Sequence, residues 1–164
     1  MRTPLKHWLL FGLLLSCWGI GAQESSVQWL SFQQLEDSLE MRPRKVFIDF
    51  YADWCAYCKK MDRTAFRDPE VVQKLNSEFY AVRMNVESPD TITFDGRRYA
   101  NPEFGKKRRP VHEIPHLLAS RDGAAFSLPA IVILNEEFRV QNRYFEYLSP
   151  KNMREILEGN SDKQ

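Results

Sequence analysis

The sequence predicts an α/β fold in which a central mixed β-sheet is flanked by helices. A nearly continuous apolar run, "KVFIDFYA" at 45–52, reads as a strand covered on both faces, and "AIVIL" at 130–134 reads as another strand. Amphipathic stretches with a helical period surround them, so the predicted order is helix, strand, helix, strand, an insert, strand, strand, helix. The 164 residues suit a single domain with a substantial core.

Residues 1–22 stand apart from this pattern. A basic start, "MRTPLKH", precedes the thirteen-residue apolar run "WLLFGLLLSCWGI", the design of a secretory signal peptide and too short for a membrane span. Cleavage after Ala22 follows the small residues "GIGA" and leaves a domain of residues 23–164. A second reading takes "LLSC" as a lipoprotein signal with Cys17 as the lipid anchor. Either way the protein is expected to be exported, periplasmic or secreted.

The first helix begins at Ser31, an N-cap residue, places Phe32, Leu35 and Leu39 on one face, and stops at Pro43. The strand at 45–52 carries one acid, Asp49, in an otherwise apolar run. Helical spacing then runs from Cys55 to about Leu75, broken at "RDPE" (67–70), where Pro69 starts the second piece. "FYAVRMNVE" (79–87) is the second strand. "AIVIL" and "RVQNRYF" flank the polar turn "NEE" and make an antiparallel hairpin. The last helix starts "SPKNM", with Ser149 as cap and Pro150 in first position.

Residues 88–127 are too long for an ordinary connection and are read as an insertion, with a short helix around "HEIPHLLAS" and a basic run, "GKKRRP", at 105–110. The residues left after the leader include 21 basic and 22 acidic ones. That balance gives no reason to expect nucleic acid or an anionic membrane as partner.

The chemistry concentrates in "DFYADWCAYCKK". Once Cys17 is set aside, Cys55 and Cys58 are the remaining cysteines, and such a pair can be a redox couple, half of a metal site or a crosslink. A crosslink that closes so small a loop adds little stability. A strand followed by a helix starting at "CAYC" places Cys55 at a helix N-terminus, where the dipole and free N–H groups favour thiolate. Cys55 is then the nucleophile, and Cys58, one turn further in and more buried, the resolving thiol. Asp49 is costly in an apolar strand unless it is used.

The segment "FIDFYADWCAYCKKM" resembles the active-site segment of the thioredoxin family, especially exported domains that reduce disulfides, and the likeness extends over nearly the whole domain apart from 88–127. The resemblance implies a thioredoxin fold with an insertion before the cis-proline strand. Trp54 matches the family's Trp before the first Cys, and Asp49 matches its buried acid, which assists proton movement from the resolving Cys. "SLPAIVIL" resembles the cis-proline segment, which implies that Pro129 lies against the Cys pair and that the Leu128 backbone pairs with a bound client. Trp54 and Tyr57 are candidate client contacts. Two departures stand out: Ala56-Tyr57 separates the cysteines where thioredoxins proper have Gly-Pro, and Arg83 offers itself where a Lys is common near the acid. An arginine keeps its proton and serves as an ion-pair partner.

Competing readings are weaker. Structural zinc needs four ligands, and His112 and His116 are the other soft candidates. "HEIPH" matches the metalloprotease pattern HExxH by letter, yet Pro115 is expected to break the helix that pattern needs. Both histidines are expected near the active-site approach. The sequence is therefore read as a protein-disulfide reductase outside the cytoplasm, using Cys55, Cys58 and Asp49, with protein disulfides as clients and an upstream membrane or soluble electron donor. No metal or organic cofactor is expected. The alternatives are a non-catalytic thioredoxin-fold module holding a client or a metal, and a disulfide oxidase or isomerase.

Overall fold

The computed structural model describes residues 26–159; the expected signal peptide and Cys17 lie outside them. Helix α1 (Phe32–Met41) starts in a capping box in which the Gln34 N–H donates to Ser31 Oγ at 3.2 Å and the Ser31 N–H to Gln34 Oε1 at 2.9 Å. Strand β1 (Lys45–Tyr51) leads through a short turn to α2 (Ala56–Arg63). A 3₁₀ turn (Ala65–Arg67) separates α2 from α3 (Pro69–Glu78), which has Asp68 as N-cap and Pro69 in the first turn. Strand β2 (Phe79–Asn85) follows. Residues 88–127, read from sequence as an insertion, hold a two-stranded hairpin, β3 (Ile92–Phe94) and β4 (Arg97–Tyr99), and then α4 (Glu113–Ala119). Strands β5 (Ala130–Leu134) and β6 (Val140–Tyr144) and helix α5 (Pro150–Leu157) complete the fold.

The main sheet runs β2-β1-β5-β6, with β1 and β2 parallel and the other two pairings antiparallel. The expected mixed sheet and element order are present; β5 has its predicted limits, and β1, β2 and β6 end one or two residues inside theirs. Leu30 adds a single rung at the outer edge of β2, donating to Ala81 O at 2.8 Å and accepting from the Arg83 N–H at 3.2 Å.

Alternation along β1 and β5 sorts their side chains onto two cores. Phe47, Ile131 and Ile133 pack with Met61, Phe66, Val71, Leu75 and Met153 beneath α2, α3 and α5. Val46, Ile48, Phe50, Val132 and Leu134 face α1 and α4 with Phe32, Leu35 and Ile114. Burial on both faces explains why these strands read as continuous apolar runs.

The hairpin in the insertion has a visible cause that the periodicity reading passed over: "TFDGRR" puts Asp95 and Gly96 at the turn with φ of 51° and 65°. Two successive positive φ values are the signature of a type I′ turn, and Asp-Gly is a preferred pair for it. Helix α4 confirms the short helix expected around "HEIPHLLAS" and corrects the reason for setting HExxH aside. Pro115 lies in the first turn of α4, where no intrahelical N–H is needed. His112 is the N-cap, outside the helix, so the pattern's two-histidine helix face does not form.

Candidate active site

Strand β1 delivers the site. From Phe50, paired with Ala130, the chain leaves the sheet through Ala52 and Asp53 and enters α2 at Cys55. Cys55 is the N-cap of α2: its Sγ accepts from the Cys58 N–H at 3.1 Å, and its carbonyl accepts from Lys59 N–H at 3.1 Å. Cys55 and Cys58 are joined in a disulfide. Both residues are buried, 4% and 2% exposed, so the expected difference between an accessible and a buried cysteine is small at the level of whole residues. In the reduced form the same cap N–H and the helix dipole would favour a thiolate at Cys55.

Asp49 is fully buried on the sheet face that α2 covers, alongside Phe47. Register sets Arg83 of β2 directly beside it. Arg83 Nε lies 3.0 Å from Asp49 Oδ2, a charge contact whose N–H is not directed at the oxygen. Neither Asp49 oxygen receives a hydrogen bond among the described residues. Arg83 is more firmly tied to Asp62, whose Oδ1 is 2.6 Å from its Nη2, and its guanidinium lies 4.2 Å from the Tyr51 ring centre. Burial pushes the Asp49 carboxyl up to about 7, opposed by Arg83 and reinforced by the Asp62 charge. Asp62 sits one turn beyond Cys58 on α2, so the three charges link β1, β2 and the cysteine helix. Sequence reading identified Arg83 as an ion-pair partner but missed Asp62, whose contact joins α2 to β2 and leaves no local pattern.

The remaining candidates divide. Pro129 is buried, follows a cis Leu128–Pro129 bond and immediately precedes β5. Since Phe50 pairs with Ala130, the proline and the exit of β1 toward Cys55 lie at the same end of the sheet. Leu128 is half-buried and packs on the α1/α4 core. Trp54 keeps 45% exposure, donates from Nε1 to Glu87 Oε1 at 2.8 Å, and carries the Arg109 guanidinium 3.9 Å from its ring centre. Tyr57 is exposed, with Tyr147 at 6.1 Å between ring centres and Lys60 Nζ 4.2 Å from the Tyr147 ring. Glu87 and Tyr147 were not singled out from sequence, and Arg109 only as one of the basic run at 105–110, because their contacts to the CAYC segment span 33 to 90 positions and leave no local pattern.

His112 does not line the approach. It is fully buried: Nδ1 accepts from the Ile114 N–H at 3.2 Å, Nε2 lies 3.0 Å from Asp90 O, and its own N–H donates to Val86 O at 2.8 Å. Burial lowers the imidazole's pKa. Its role is to pin the insertion to the end of β2. His116 packs edge-on against Phe126 at 5.8 Å.

Comparison with known proteins agrees with this architecture. Two proteins named thiol:disulfide interchange protein DsbD align with part of the chain. The one from Photorhabdus laumondii is 32% identical over 79 residues, 44% of this chain and 12% of that protein. The one from Tatumella citrea is 36% identical over 100 residues, 52% of this chain and 17% of that protein. The chain thus spans less than a fifth of the length of these curated relatives. Among solved structures, the reduced C-terminal domain of Neisseria meningitidis DsbD superposes with a TM-score of 0.52 at 21% identity, covering 78% of this chain and 91% of that one. A family model described as thioredoxin-like matches residues 28–135, the span from the edge rung at Leu30 through β5. With a helix-capping CxxC after β1, a buried acid within β1 and a cis-proline before β5, the chain belongs to the thioredoxin-like family.

Proposed function

We propose that this protein is a thiol–disulfide oxidoreductase that reduces protein disulfides outside the cytoplasm. The observation that carries the reading is the Cys55–Cys58 disulfide seated as the N-cap of α2. In the dithiol form, Cys55 thiolate attacks one sulfur of a client disulfide. A Cys55–client bond forms, the client's S–S bond breaks, and its second sulfur leaves as a thiolate that takes a proton from solvent. Cys58 gives its proton to the Asp49 carboxylate and attacks Cys55 Sγ, the Cys55–client bond breaks, and the client's first sulfur departs as a thiolate that takes a proton from solvent. Two electrons have passed to the client, and the protein holds the disulfide seen in the structure. A carboxyl poised at about 7 accepts and returns a proton near neutral pH.

Pro129 and the Leu128 backbone form the client-facing side opposite Cys55, with Trp54 and Tyr57 as exposed aromatic contacts. An upstream dithiol donor, membrane-bound or soluble, must return the protein to its reduced form. Among the described residues no helix is long and apolar enough to cross a membrane; export by the leader of residues 1–22, or a lipid at Cys17, belongs to the same proposal.

The deciding experiment is equilibration of the Cys55/Cys58 couple against a dithiol or glutathione buffer. A potential near or below about −250 mV supports the reductase direction, and one above about −180 mV assigns oxidase or isomerase work instead. Cys58→Ser is expected to accumulate Cys55–client mixed disulfides that reducing agent releases. No trapped complex together with no reversible two-electron couple would overturn the redox reading in favour of a binding module.

A further inference from the structure

The basic run of the insertion is fixed beside the cysteines. His112 N–H bonds to Val86 O at 2.8 Å and Asn101 Nδ2 to Ser88 O at 3.1 Å, so the segment leading into α4 lies along the end of β2. Glu87, between those anchors, holds the Trp54 indole N–H, and Arg109 covers the ring of that same tryptophan at 3.9 Å. A guanidinium over an indole face is attracted to it, which biases its position without removing its charge. The other cations divide. Lys107 is taken up by Glu103, and Lys106 Nζ donates to Pro102 O at 2.9 Å. Arg108 is exposed and has no ion pair among the described residues. On the far side of the disulfide, Lys59 and Lys60 of α2 are exposed as well. Of the nearby acids, Glu103 and Glu87 are engaged, and Asp53 is exposed beside Trp54.

Taking the oxidoreductase reading as given, we infer that Arg109, held against Trp54, and its exposed neighbour Arg108 form a docking site for an acidic stretch flanking the client's disulfide. The partner this surface fits is a polypeptide whose reacting cystine lies among Asp and Glu. Because Arg109 rests on the side chain of the residue directly before Cys55, whatever neutralises it lies against the turn that leads into the reacting cysteine. That placement favours a client over an anionic membrane, which would need a flat basic face remote from the cysteines. Charge pairing of this kind raises encounter rates by roughly tenfold or more and is lost as salt screens it.

The test uses three cystine-bridged peptides identical except for flanking Glu, Gln or Lys residues. Rates of reduction by the dithiol protein are compared peptide by peptide with those of an Arg108→Glu/Arg109→Glu variant, so that differences in the peptides' own thiol acidity cancel. The expected result is that the variant loses roughly tenfold on the Glu peptide and gains on the Lys peptide. In the wild type, the rate on the Glu peptide should fall as salt rises toward about 1 M, where screening reaches about 3 Å. This second measurement stands even if the variant misfolds. Equal wild-type rates on all three peptides, insensitive to salt, overturn the docking site and leave the oxidoreductase reading intact. No reaction with the Gln peptide overturns that reading itself. Retention of the protein on phosphatidylglycerol vesicles, lost in the variant, with equal peptide rates would assign the run to a membrane surface and overturn the client.

Discussion

Asp49 shows how a single residue can set both a chemical property and a stability profile. Its carboxyl ionises near 4 in an unfolded chain and about 7 in the fold. Between those values the unfolded state releases a proton that the folded state keeps, so the group lowers stability progressively as pH rises from about 4 to 7, with no further change above. Asp49→Asn removes this pH dependence. Denaturant titrations across that range should show the variant gaining on the wild type as pH rises, by up to about 4 kcal/mol in the limit set by the shift, while the proposed mechanism predicts a slower resolving step. Asp62→Asn acts in the opposite sense on the same carboxyl: loss of a neighbouring negative charge, with Arg83 released toward Asp49, lowers the Asp49 pKa. Carboxyl titration by NMR should place it lower than in the wild type. Asp49, Cys55, Cys58 and Pro129 were legible in the sequence because each sits in a local motif. Asp62 was not, since its meaning depends on Arg83 arriving from another strand.

Elements were legible where punctuation and period agreed. Ser31, Asp68 and Ser149 each cap a helix through their side chains, and Pro69 and Pro150 occupy first turns. Asp68 does more than cap: Oδ1 accepts from the Glu70 and Val71 N–H groups at 3.2 Å, and Oδ2 lies 2.5 Å from Arg154 Nη1 on α5. Asp68→Ala should therefore destabilise the fold by about 1–2 kcal/mol in chemical denaturation, at the upper end of a lost cap. The β3–β4 hairpin was overlooked because three-residue strands carry too little alternation to register, although Asp95-Gly96 marked the turn. An added Cβ at Gly96 meets nothing within 4 Å, so the effect of Gly96→Ala is conformational alone. Strain at φ +65° is expected to destabilise the hairpin by about 1 kcal/mol. Amide exchange across 92–99 should accelerate while the β1–β5 pairing keeps its protection.

At the scale of the whole molecule, two sheet faces separate two tasks. The face beneath α2, α3 and α5 holds Asp49, Arg83 and Asp62 behind the disulfide. The opposite face supports α1, α4 and the insertion. The buried imidazole of His112 joins the insertion to β2 through Val86 and to Asp90. His112→Ala should raise amide exchange in 88–112 and weaken the Arg109–Trp54 stack, read as loss of indole fluorescence sensitivity at Trp54, with the main sheet unchanged. The separation has an evolutionary consequence. The residues that poise the dithiol belong to β1, β2 and α2, whereas Arg108 and Arg109 come from a segment anchored at the end of β2. If the proposed docking role holds, drift or exchange of this segment would redirect the protein to new clients while leaving the Asp49–Arg83–Asp62 cluster untouched, and grafted segments are expected to transfer selectivity with that cluster unchanged.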